Sequence, residues 1–115
     1  MTRRSATAVI ERNVTWTGAF ATEPWEAAWA SEAIFFVRLL SLESAPAGAG
    51  PLLEARVQIS PDGTLWCDEG STATLEAGQP LVAIRARHFG GWLRLCGAVA
   101  HGARLRVIAY LNLKE

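Results

Sequence analysis

The stretch Leu53-Glu54-Ala55-Arg56-Val57-Gln58-Ile59-Ser60 decides how this chain folds. Leu53, Ala55, Val57 and Ile59 place apolar side chains on one side of an extended backbone, and Glu54, Arg56, Gln58 and Ser60 place polar ones on the other. Side chains of a β-strand point to alternate faces, so this period of two reads as a half-buried strand. The pattern recurs at the C-terminus. There Leu105, Val107, Ala109, Leu111 and Leu113 alternate with Arg104, Arg106, Ile108, Tyr110, Asn112 and Lys114. One face of that strand is continuously apolar, and Ile108 and Tyr110 make the other partly so. From Ala33 to Leu40 (AIFFVRLL) both faces are apolar, as in a strand covered on both sides.

Residues 79–88 and 92–98 read as two further strands, and His88-Phe89-Gly90-Gly91 between them predicts a hairpin, because Gly-Gly supplies the positive φ of tight turns. Asn13 to Phe20 is another strand candidate. Pro24-Trp25-Glu26-Ala27-Ala28 supports at most a short helical turn. Turn chemistry places breaks at residues 44–51 (SAPAGAGP), Pro61-Asp62-Gly63, Glu69-Gly70-Ser71 and His101-Gly102. Short strands at this spacing predict an all-β chain, a single antiparallel β-sandwich of seven or eight strands, either jelly-roll or immunoglobulin-like. Residues 13–115 are expected to form the sandwich. Residues 1–12 are expected to be a flexible arm, free or added as a strand to a neighbour.

The composition fits one core in 115 residues: 50% apolar, 19% charged, with a mean hydropathy of +0.17. Formal net charge is zero, which removes the field that draws a protein to nucleic acid or an anionic membrane. The charge is unevenly spread. Residues 1–76 hold ten acids and five bases, and residues 77–115 hold one acid and six bases. Folding either interleaves these halves or leaves opposed surfaces for two copies to match. Glu11 and Arg12 interrupt any signal-type apolar run, and no segment approaches a membrane span, so a cytoplasmic location is expected unless lysis or another route releases the chain. Cys67 and Cys96 are expected to be buried free thiols.

Catalysis requires convergent acid, base or nucleophile groups, and no catalytic set stands out. His88 and His101 show no metal-ligand spacing with each other or with the cysteines, and no metal or cofactor is expected. Asp62, Asp68 and Glu69 read first as turn residues, since a calcium-loop ligand series is missing. Arginine outnumbers lysine ten to one, and guanidinium groups suit partly buried interfaces. The resulting expectation is a non-catalytic structural protein that self-assembles into a homo-oligomer, as a shell, ring or filament. Phe35, Phe36, Arg38, Arg106, Ile108 and Tyr110 are the expected interface residues. The alternative is a carbohydrate- or ligand-binding module that stacks a glycan on Trp25, Trp29 or Trp92.

The segment Val57-Gln58-Ile59-Ser60-Pro61-Asp62-Gly63-Thr64-Leu65-Trp66 resembles the strand-turn-strand with Ser-x-Asp-Gly-x-x-Trp of discoidin-like and related carbohydrate-binding β-sandwiches. That resemblance implies a turn made by Asp62-Gly63 with Trp66 packed beneath it. It covers about ten residues and bears on the fold more than on a ligand.

Overall fold

The computed structural model describes residues 3–115 as two facing antiparallel sheets. The strands are β1 (Ser5–Trp16), β2 (Ala19–Ala21), β3 (Trp25–Glu26), β4 (Glu32–Ser44), β5 (Leu53–Ser60), β6 (Cys67–Leu75), β7 (Leu81–Arg87), β8 (Trp92–Val99) and β9 (Arg104–Lys114). Sheet A runs β1-β9-β4-β7. Sheet B runs β2-β8-β5-β6, with the two-residue β3 also paired to β8. The chain changes sheet at nearly every connection, and β5–β6 is the one consecutive pair joined as neighbours in a sheet. This strand order is that of a jelly roll, not of an immunoglobulin domain.

The alternation seen in the sequence sets which way each strand faces. Leu105, Val107, Ala109, Leu111 and Leu113 of β9 are all buried, as are Ala33, Phe35 and Val37 of β4. Leu53, Ala55 and Val57 of β5, with Leu93 and Leu95 of β8, close the core from sheet B. Each fully buried leucine contributes about 1.5–3 kcal/mol relative to an exposed one. Trp16 on β1 and Phe20 on β2 stack with ring centroids 4.0 Å apart, tying the two sheets where the chain passes between them.

Four local expectations are corrected. From Ser5 onward the expected arm is the first half of β1, paired with β9 from Ser5–Lys114 to Trp16–Leu105; residues 1 and 2 lie outside the described part. Its Ala6, Ala8 and Ile10 alternate with Thr7 and Val9, a signal weakened by small residues. β7 and β8 do not form a hairpin: β7 pairs with β4 in sheet A, whereas β8 pairs with β5 in sheet B. His88 and Gly90 do take positive φ (55° and 66°), but they turn the chain across the sandwich. The break at Glu69-Gly70-Ser71 is an irregularity inside β6, where pairing jumps from Arg56–Thr72 to Gln58–Asp68 around Gly70 (φ 116°). Of the two thiols, Cys96 is buried but Cys67 is exposed.

Gly97 on β8 sits between Phe20 of β2 and Ala55 of β5. A β-carbon there would be driven into the Glu54 carbonyl oxygen and the Ala55 Cα, both backbone atoms unable to move aside. Gly97→Ala is therefore expected to lower stability by about 1–3 kcal/mol, read as an earlier urea midpoint at unchanged slope.

Candidate self-association face

The outer surface of sheet A is assembled by cross-strand pairing. One row runs Val9–Tyr110–Phe36–Ala83, the next Thr7–Asn112–Ile34–Arg85, and Ile108, Arg38 and Leu81 form a third. Directly opposed residues in neighbouring strands share a face, so the apolar members make one contiguous patch. Val9 and Leu81 are 36% and 46% exposed. Thr7, Phe36, Arg38, Pro80, Leu81, Tyr110 and Asn112 together line a shallow groove. Asn112 Nδ2 donates to Thr7 Oγ1 at 2.7 Å and braces its rim.

Phe36, Arg38, Ile108 and Tyr110 are thus brought together. Phe35 is not: at 1% exposure it points into the core and has no access to a partner. Adjacent strand residues face opposite ways, and with both apolar nothing local told Phe35 from Phe36. Arg106 shares the outer face but lies at its far end, opposite Thr15 and Ser41. There it is engaged by Glu43 at 3.7 Å and by Asn13 Oδ1 at 3.1 Å. Arg38 has no acidic side chain at ion-pair distance among the described residues.

Charge separates by sheet rather than by half of the chain. β9 lies between β1 and β4, and β8 between β2 and β5, so the acidic and basic halves interleave. Yet the sheet A strands carry Arg12, Arg38, Arg85, Arg87, Arg104, Arg106 and Lys114 against Glu11, Glu32 and Glu43. The sheet B strands carry Glu26, Glu54, Asp68 and Glu69 against Arg56 and Arg94. Sheet A is basic and sheet B acidic.

The outer face of sheet B is polar and internally satisfied. Asp68 Oδ1 accepts from Gln58 Nε2 (3.0 Å) and Arg56 Nε (3.2 Å), Gln58 Oε1 accepts from Arg94 Nε (2.9 Å), and the Arg94 guanidinium lies 4.4 Å over the Trp66 ring. The hydrogen bond from Gln58, aided by Arg56, holds the Asp68 carboxyl below its usual range. Trp66 is therefore occupied by Arg94, and the ring against the Asp62-Gly63 turn is Trp92, which a β-carbon on Gly63 would meet at 3.2 Å. Trp25 pairs with Leu93 and Trp92 with Glu26, so those two tryptophans occupy opposite faces of sheet B. Trp29 lies beneath the Arg4 guanidinium at 4.0 Å. The three rings expected as a ligand platform are not brought together on one face.

The remaining chemical groups serve turns. Asp62 Oδ1 accepts from the N–H groups of Thr64 (2.8 Å) and Leu65 (3.2 Å), bonds that hold its carboxyl low, while Ser60 Oγ accepts from Gly63 N–H at 2.8 Å. Cys67 and His88 line a small cleft with Ser60, Pro61 and Phe89. Glu69 approaches His88 and accepts from Ser71 and Arg87 N–H; burial opposes its charge, and these partners outweigh the burial. His101 lies apart, in the loop after β8. No group of three metal-ligating side chains occurs among the described residues, and none of their helices is long and apolar enough to cross a membrane.

With two four-strand paths in jelly-roll order, the class defined by the fold is a small jelly-roll sandwich. No protein-family model and no curated protein matches the chain. Among solved structures it is similar to the SPBc2 prophage-derived protein YomS, with a TM-score of 0.63 and 9% identity over 100% of this chain and 96% of that one. It is also similar to a chain of the infectious bursal disease virus Gx strain, with a TM-score of 0.55 and 12% identity over 97% of this chain and 32% of that one. At these identities the likeness is one of fold.

Glu11, on β1, approaches Glu23. Burial pushes its carboxyl above the usual carboxylate range; a hydrogen bond from the Glu23 N–H opposes this, and the Glu23 charge adds to it. The folded state therefore holds this proton more tightly than the unfolded one, and stability falls as pH rises from the unfolded pKa through the raised folded one. Glu11→Gln is expected to melt higher than wild type at pH 7 and to lose that advantage at pH 4 in thermal melts.

Proposed function

We propose that this protein is a non-catalytic structural component that associates with further copies of itself through the outer face of sheet A. One observation carries the reading: Val9, Ile34, Phe36, Leu81, Ile108 and Tyr110 form a contiguous apolar patch where a solvent-facing antiparallel sheet is ordinarily polar. The basic charge around that patch matches the acidic outer face of sheet B, so sheet A of one copy can meet sheet B of the next. Such a contact joins two different surfaces, closing into rings or shells when the rotation permits and otherwise growing as filaments. Support also comes from the fold. Jelly rolls build many viral shells, and one similar structure belongs to a virus.

Light scattering and sedimentation test the reading. Wild-type protein is expected to exceed the 12.4 kDa of one chain, in a concentration-dependent way that weakens with salt. Phe36→Lys or Tyr110→Lys is expected to weaken face association by about a hundredfold or more while leaving the circular dichroism unchanged, because a buried unpaired ammonium costs about 3 kcal/mol or more. A monomeric wild type at about 100 μM, where a contact of even micromolar strength is saturated, would sink it.

A further inference from the structure

β1 is an outermost strand of sheet A, with β9 on one side and, among the described residues, no strand on the other. The hydrogen bonds determine which of its backbone groups face outward. Arg4 turns both backbone groups toward the chain end beyond β9: its carbonyl accepts from Glu115 N–H at 2.9 Å, and its N–H donates to the Glu115 carboxylate at 2.9 Å. Lys114 O, by contrast, turns toward the β4 side, accepting from Ser31 N–H at 2.8 Å. Groups alternate along an antiparallel strand, so Ala6 and Ala8 also face β9, opposite Leu113 and Leu111. Ser5, Thr7 and Val9 direct their N–H and C=O groups to the open edge.

This edge segment lacks the features that ordinarily block pairing. Ser5-Ala6-Thr7-Ala8-Val9 contains no charge and no proline, and its pairing with β9 is regular up to Val9; the irregularities begin between Val9 and Glu11. From these observations we infer that β1 is a second self-association site, where the edge of one copy pairs antiparallel with the same edge of another about a two-fold axis at Thr7.

In that register Thr7 faces Thr7 and Ser5 faces Val9 of the other copy, and every outward backbone group of the segment meets its complement. Two sheets A then become one continuous sheet. The small Ala6 and Ala8 let the inner rims approach. Because the contact is isologous it stops at a pair, whereas the face contact can propagate. The inference rests on the self-association reading but uses backbone groups of the β1 edge where that reading uses side chains of the face, so the two can fail separately.

Thr7→Pro tests it. The Thr7 N–H faces the open edge, and proline is tolerated at such positions of an edge strand, so the sandwich is retained while the ladder between copies loses its central donor. In sedimentation, Phe36→Lys is expected to leave a dimer, and Phe36→Lys with Thr7→Pro a monomer, the pairing constant falling about tenfold or more. A second readout does not depend on proline. Paired residues of this kind lie about 5.5 Å apart at Cα, within disulfide reach. In a Cys67→Ser background, Thr7→Cys is expected to cross-link to itself when oxidised glutathione takes up the two thiol hydrogens as two reduced glutathiones, and Ser5→Cys is not. A Phe36→Lys dimer that survives Thr7→Pro, without cross-linking at Thr7, would overturn the edge site and leave the face reading standing. Cross-linking at Ser5 and not at Thr7 overturns the register. A monomeric wild type with no cross-link overturns both.

Discussion

β9 is the strand on which the rest of the sandwich depends. It pairs with β1 on one side and β4 on the other, so the two ends of the chain and its middle meet in one sheet. Its inward residues, Leu105 to Leu113 at every second position, are buried without exception. Long-range pairing of this kind carries a loop-closure cost that only burial along the whole strand offsets. The period of two is therefore more than a marker of strand conformation. A slip of one residue would turn five apolar side chains to water and put Arg106, Tyr110 and Lys114 into the core.

Crossing between sheets imposes the next constraint. Trp16 and Phe20 stack where β1 hands over to β2, and within sheet B Gly97 lets β8 lie close against the backbone of its neighbour β5. Both devices bring backbones of different strands to a spacing that only particular side chains allow. Turn residues are arranged with equal economy: Ser60 and Asp62 consume four N–H groups of the loop after β5, so the Asp62 carboxylate has a structural employment.

A chain of this size has little interior, and half its residues are apolar. Some of that apolar content is left on the outside of sheet A, together with most of the basic residues. Sheet B shows the opposite solution, since its charged residues are cross-linked with one another through Gln58, and Arg94 covers Trp66. The two outer faces therefore differ in kind: sheet A carries apolar and basic side chains, and sheet B carries polar ones bonded to one another.

Alternation alone determined that the chain is an antiparallel sandwich, where β5, β9 and most of β4, β7 and β8 lie, and that Ile108 and Tyr110 share the face of β9 opposite its core leucines. These are local properties: which way a side chain points depends on its neighbours in sequence. Only the tertiary structure decided that Phe35 is core, that β7 and β8 belong to different sheets, that the first residues are an edge strand, and that charge divides by sheet. Strand order joins residues about a hundred positions apart, such as Ser5 and Lys114, and no local pattern reports which distant backbone will satisfy a given row of hydrogen bonds. The jelly-roll order follows from that pairing, as does the open edge row of Ser5, Thr7 and Val9.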